Sequence, residues 1–363
     1  MPELVPINTG TDVIIDTTKV TAGFFTGNLG TLSAGNLVTA SKSSTQKGYY
    51  YDMQYSSEDQ FSVTYGHKEG SGSAAANETK AIYMQFKNLL ISPDDIASTS
   101  SNGFVFGISS SNFTSIGSDN VGIDNDMYFI VMDRARMKDR LNKKNWTLRL
   151  SGSSCSGAVS ASELTLTDDS STITGESTIA GIRYNVVSGS DGSAAVAAAT
   201  RNYGWIYPSM GIIALRTGEL SASLPGQSGS VNSSSYGFSA TASGLAPELT
   251  TDGTADNALK LAHSVNLTEQ KFRSEEDQTS KSYFIRAFAN DMNFSNNPTF
   301  VSGSDARLLH ASMIGYPSTF ISTVGLYQSG DSGNPELVAV GRLSGPVEKN
   351  YGTEATIKVK LTY

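Results

Sequence analysis

Residues 355–363 read Ala-Thr-Ile-Lys-Val-Lys-Leu-Thr-Tyr. Ile357, Val359, Leu361 and Tyr363 fall on one side of an extended chain, and Thr356, Lys358, Lys360 and Thr362 on the other. This is the cleanest strand signal in the sequence, and it sets the expectation of a mainly β protein. Its place at the end of the sequence implies a C-terminus pinned in a sheet.

Upstream, Tyr283–Phe288 reads as a further strand. Ile321–Tyr327 and Leu337–Leu343 read as paired strands around the turn-forming stretch 328–335. Ser304–Ser312 has the pattern of a short capped helix. Asn257–Phe272 is the best helix candidate, because Ala258, Leu261, Ala262, Val265 and Phe272 nearly follow i, i+3, i+4, i+7 spacing. Residues 217–256 are rich in Gly, Ser, Ala and Thr and read as a linker or a projecting loop.

In the first half, Phe61, Val63 and Tyr65 share one face of a strand, and the unbroken apolar run Met127–Met132 belongs deep in a sheet. Ala81–Ile91 reads as a half-buried strand, followed by a short helix starting at Ser92-Pro93. Gly204–Tyr207 and Gly211–Leu215 read as one strand interrupted at Pro208, and Ser188–Gly192 as a turn. The expected fold is mainly β, a sandwich or mixed β with a few short helices, in two β-rich blocks joined by a Gly/Ser-rich segment. The expected divisions are an extended arm (1–48), a β-rich domain (49–216), the loop or linker (217–256) and a C-terminal β-rich block with a leading helix (257–363).

The 363 residues include 35 Gly and only 17% charged side chains, against about 25% in ordinary globular chains. A net charge of −8 with 16 Tyr, 15 Phe and 2 Trp excludes a disordered chain. One cysteine, Cys155, excludes a disulfide scaffold, and its Ser/Gly surroundings suit a small loop residue. The pI near 5.0 argues against broad nucleic-acid binding. No uncharged apolar run reaches the roughly 18 residues of a membrane span, and the opening residues lack a signal-peptide pattern.

Catalytic signals are absent from the sequence pattern, and the reading is of a protein that is not an enzyme and uses no cofactor. His67, His263 and His310 have no neighbour at metal-ligand spacing. Asp119, Asp124 and Asp126 cluster, but they miss the EF-hand spacing and lack its bidentate Glu, so they read as a polar turn. The unusual feature is a basic segment: Arg134, Arg136, Lys138, Arg140, Lys143 and Lys144, closed by Trp146. On an acidic protein such a patch suits an acidic surface on a neighbouring subunit. These seven residues are the candidate subunit-contact set.

Several stretches resemble one group of proteins. They are Thr79-Lys-Ala-Ile-Tyr-Met-Gln-Phe-Lys-Asn-Leu89, Asp126-Met-Tyr-Phe-Ile130, Arg134-Ala-Arg-Met-Lys-Asp-Arg-Leu-Asn142 and Trp146-Thr-Leu-Arg-Leu-Ser-Gly152. Near the end they are joined by Phe294–Phe300, Ser322–Tyr327, Leu337–Pro346 and Ala355–Leu361. Together they resemble virion structural proteins of T-even-like contractile-tailed phages, notably those infecting cyanobacteria. The resemblance covers roughly residues 45–215 and 283–363. It implies a virion component assembled in the host cytoplasm, with itself and other virion proteins as partners and neither nucleic acid nor membrane. A tail or baseplate subunit is the expected part. A receptor-binding or fibre-attachment module, and a capsid decoration or neck protein, are the alternatives.

Overall fold

The computed structural model describes residues 6–39, 50–69, 76–91, 106–108, 122–152, 162–194, 202–220, 255–303, 305, 307–329 and 334–362. In chain order the longer elements are β1 (Val13–Gly23), β2 (Tyr50–Tyr55), β3 (Glu58–His67), α1 (Ala76–Leu90), β4 (Asp126–Met132), α2 (Arg134–Met137), β5 (Leu148–Gly152), β6 (Ser162–Asp168), β7 (Gly181–Ser190), β8 (Gly204–Tyr207), β9 (Ile212–Arg216), α3 (Ala255–Asn266), β10 (Arg273–Ala287), β11 (Thr319–Ser329), β12 (Pro335–Lys349) and β13 (Ala355–Thr362). The fold is mainly β, as the sequence implies. The chain forms two compact units: Val20–Glu276, and Met1–Lys19 together with Asp277–Tyr363.

The larger unit is built on one antiparallel sheet in the order β5-β6-β7-β8-β9-β4-β3-β2, with Val38–Thr39 at its edge. The apolar run at 127–132 is β4, paired with β9 on one side and β3 on the other, so both of its edges are hydrogen-bonded within the sheet. Tyr128, Ile130 and Met132 join Phe61, Val63 and Tyr65 in one core, which α3 covers with Ala258, Leu261, Ala262 and Val265. Met127 and Phe129 join Trp205, Tyr207, Ile212 and Ala214 in a second core, on which Ile82, Tyr83, Met84 and Phe86 of α1 pack. Helices thus face this sheet where a sandwich would place a second sheet. Of the two expected forms, the mixed one is found.

The helix α1 corrects the expectation of a strand at 81–91. Ile82, Tyr83, Phe86 and Leu90 recur at helical spacing. Phe86 stacks on Phe129 of the sheet with ring centroids 4.0 Å apart. Gly66 of β3 lets the helix come this close, since a Cβ there would lie 2.9 Å from the Tyr83 backbone nitrogen and 3.2 Å from the Phe129 ring. Gly66→Val is expected to push α1 outward at a cost of about 1–3 kcal/mol, read as a lower denaturant midpoint with an unchanged slope.

Other expectations change with the packing. Within the expected arm, Phe24, Phe25, Leu32 and Leu37 are not free but lie in the core under α3. The helix expected to lead the C-terminal block belongs to the larger unit instead, because its apolar stripe is buried there. The division therefore falls at 19/20 and 276/277, not along 217–256. Residues 204–215 are two strands, since the turn at Pro208–Gly211 folds β9 back on β8, with Gly211 at φ 68°. The turn at 188–192 is present, with Asp191 at φ 49° and Gly192 at φ 73°. Within 304–312 there is no α-helix among the described residues; Arg307–Leu308 pairs with Val301–Ser302, and a single 3-10 turn, Ala311–Met313, begins after His310. The short helix expected after Ser92, together with Asp119 and Cys155, lies outside the described residues.

In the smaller unit, β10 lies between β1 and β13, with Ser280–Ala287 in register with 355–362. The β13 alternation appears as read: Ile357 is buried, Val359 and Leu361 are half-buried, and Thr356, Lys358 and Lys360 are exposed. The strands expected around 328–335 pair as a long two-stranded ribbon, β11–β12.

Candidate assembly surface

The basic segment folds around a buried aspartate. Asp133 caps α2, its Oδ1 accepting the Ala135 N–H at 3.1 Å. Asp168, fully buried, then accepts the Lys144 N–H at 2.9 Å and the Trp146 indole N–H on one carboxylate oxygen. Its other oxygen accepts from the backbone and hydroxyl of Ser170. Trp146 is itself 0% exposed and lies parallel to Phe272 at 6.0 Å. Trp146 is therefore a core residue and leaves the candidate contact set.

The cations around it find partners within the same unit. Arg136 pairs with Glu58, Lys138 with Glu276 at 2.7 Å and Arg140 with Glu275 at 2.8 Å. Lys143 donates to the Tyr184 hydroxyl at 2.9 Å and sits 5.1 Å from the centre of its ring. Arg134 donates to the Ser209 carbonyl at 3.3 Å. For three of the six cations, Arg136, Lys138 and Arg140, the acidic complement expected on a neighbouring subunit is supplied within the chain. Such partly exposed pairs contribute little each.

The Asp cluster is likewise turned inward. Asp124 accepts from Arg216 at 2.8 Å, and burial pushes its carboxyl above the usual range against the pull of that guanidinium. Tyr83 donates to the Asp124 carbonyl at 2.8 Å, and burial raises its phenol as well. Asp126 accepts from the Tyr65 hydroxyl, with His67 Nε2 at 3.7 Å. His67 Nδ1 accepts the Glu69 N–H at 3.2 Å. Among the described residues no group of three or more His, Cys, Asp or Glu is placed to hold a metal ion. None of their helices is long and apolar enough to cross a membrane.

The surface that stands out is in the smaller unit. Among the described residues, five of its hydrophobic side chains are buried: Ala287, Phe300, Val301, Leu326 and Ile357. Thirteen large ones are exposed, from Ile14 and Ile15 of β1 to Tyr351. The larger unit has forty buried and eight exposed. A unit that exposes more large apolar side chains than it buries carries the signature of an interaction surface.

The ribbon is the densest part of that surface. Phe320 is 59% exposed, Tyr327 45%, Leu337 53%, Val338 59% and Val340 63%. Neither outer edge of the ribbon has a ladder partner among the described residues. A two-stranded ribbon alone in water is marginally stable, and open edges invite further pairing. Sequence reading found the strands but not this exposure. The signal was the run Leu337-Val-Ala-Val340, which is apolar without alternation. No known family model, curated protein or solved structure matches the chain.

Proposed function

We propose that the protein is a structural subunit of a tailed-phage virion, a tail or baseplate component that works through protein–protein contacts. One observation supports this most: the smaller unit exposes its large apolar side chains instead of burying them, and groups them on an open-edged ribbon. Burial of such side chains returns about 25 cal/mol per Å², and a neighbouring protein is the means of burying them. The resemblance to virion proteins supplies the class of assembly. The inward commitment of Asp124 and Asp126 fits a role without catalysis.

Mass spectrometry of intact purified particles, paired with sedimentation of the isolated chain, tests this reading. The chain is expected in particles at a fixed stoichiometry and as an oligomer when isolated. A stable monomer missing from particles would overturn the proposal.

A further inference from the structure

In an antiparallel pair, residues directly opposite share a face. On the ribbon, the rows Thr323/Arg342, Gly325/Val340 and Tyr327/Leu337 therefore lie on one face, and all six residues are exposed. The other face carries Val324/Gly341 and Leu326/Ala339, which are buried or half-buried. A register shift between Leu326 and Tyr327 leaves Val338 without an opposite residue, and it too is exposed.

The exposed face has an order along the strands. Its middle row is Gly325 with Val340, one end row is Tyr327 with Leu337, and the other is Thr323 with Arg342. Tyr327 and Leu337 lean over the bare Gly325: a Cβ there would stand 3.0 Å from the Tyr327 ring and 3.3 Å from Leu337. With Val338 and Val340 these side chains expose roughly 350 Å² of apolar surface, taking ~150–250 Å² for a whole aromatic and somewhat less for each aliphatic side chain. That suits the apolar centre of a standard interface of about 800 Å² per partner. Thr323 and Arg342 supply a polar rim.

A two-fold axis through the middle row exchanges the end rows. Arg342 of one copy then lies over the Tyr327 ring of the other, a cation on an aromatic face, and its aliphatic stem covers Leu337. The two Val340 side chains meet at the axis. The alternative two-fold, along the strands, keeps each row on itself and sets Arg342 over Thr323, with no ring to meet. We infer that this face is the seat of a two-fold contact with a second copy of the chain, centred on Gly325 and Val340. Closed two-fold pairs are the commonest symmetric assembly, and face-to-face sheets pack about 10 Å apart. The contact rests on the reading of the chain as an assembly subunit and names its first partner.

The test uses the full chain in a Cys155→Ser background. Val340→Cys places two thiols across the axis, so mild oxidation is expected to give a disulfide-linked dimer. Gln328→Cys, on the opposite face of the same ribbon, is expected to stay unlinked. Without oxidation, Arg342→Glu is expected to weaken the dimer at least 10-fold by sedimentation equilibrium. Adding Tyr327→Lys is expected to restore it, because the pair is then oppositely charged. A monomer that does not link through Val340→Cys, or an oligomer that links equally through Gln328→Cys, overturns the two-fold contact. An oligomer present in particles but joined elsewhere overturns this contact alone. A chain absent from particles that still links through Val340→Cys overturns the virion reading alone.

Discussion

Asp168→Ala is expected to destabilise the larger unit by about 3–5 kcal/mol, the cost typical of breaking a buried charged network. The carboxylate has four donors and is fully buried. Removing it strands the indole N–H of Trp146 and the backbone N–H of Ser170, both buried. Each unpaired donor costs about 1–3 kcal/mol. The loss would spread through packing, because Trp146 lies on Phe272 and Phe272 touches Phe24, Phe25 and Phe61. Asp168→Asn retains one accepting oxygen and is expected to cost about half as much. Denaturant unfolding followed by tryptophan emission measures both. An Asp168→Ala midpoint within error of the wild type would show that the basic segment is held by its surface ion pairs instead.

Lys349→Met is expected to be comparably severe in the smaller unit, again about 3–5 kcal/mol. Lys349 is 0% exposed. Its ammonium donates to the Ala289 carbonyl at 3.1 Å, Asn293 Oδ1 at 3.0 Å and the Asn350 carbonyl at 2.9 Å. Thr319, its partner across the ribbon, donates to the Met292 carbonyl, so both strands of the ribbon base are tied to the 289–293 turn. Methionine keeps the length and bulk of the chain, so the loss reports three stranded acceptors and not a cavity. The unit has few buried apolar side chains to compensate. Hydrogen exchange is expected to show loss of protection at 289–293 and along β12, with β3 and β4 unchanged. Lys358→Met, at an exposed position of β13, is the control and is expected to stay within ~0.5 kcal/mol of the wild type. Equal effects of the two substitutions would remove the assigned role of the buried ammonium.

What the sequence disclosed depended on how local each cause was. The strands β4 and β13 were legible because composition or alternation over a few residues is sufficient to define them. The stripe of α3 was legible too, but not the sheet it covers, since its partners Phe61 and Leu215 are distant in sequence. For α1 the β-branched and aromatic content outweighed the spacing of Ile82, Tyr83 and Phe86, and the sheet decided the outcome. The basic segment shows the largest gap. Glu58, Glu275 and Glu276 lie far from the cations they meet, so a patch that looks uncompensated in one dimension is half paired in three. Trp146 was hidden by its charged neighbours for the same reason.

The smaller unit draws its strands from both sides of Val20–Glu276. On a ribosome, the segment ending at Lys19 emerges well before Asp277. At about 5–20 residues per second, the delay is roughly 15–50 s. Only at the end of that time does the larger unit have every residue it needs to fold. The ribbon with its bare apolar face is made only afterwards. The order of synthesis thus acts as a clock, keeping the adhesive part of the molecule from existing until the rest is able to hold its shape.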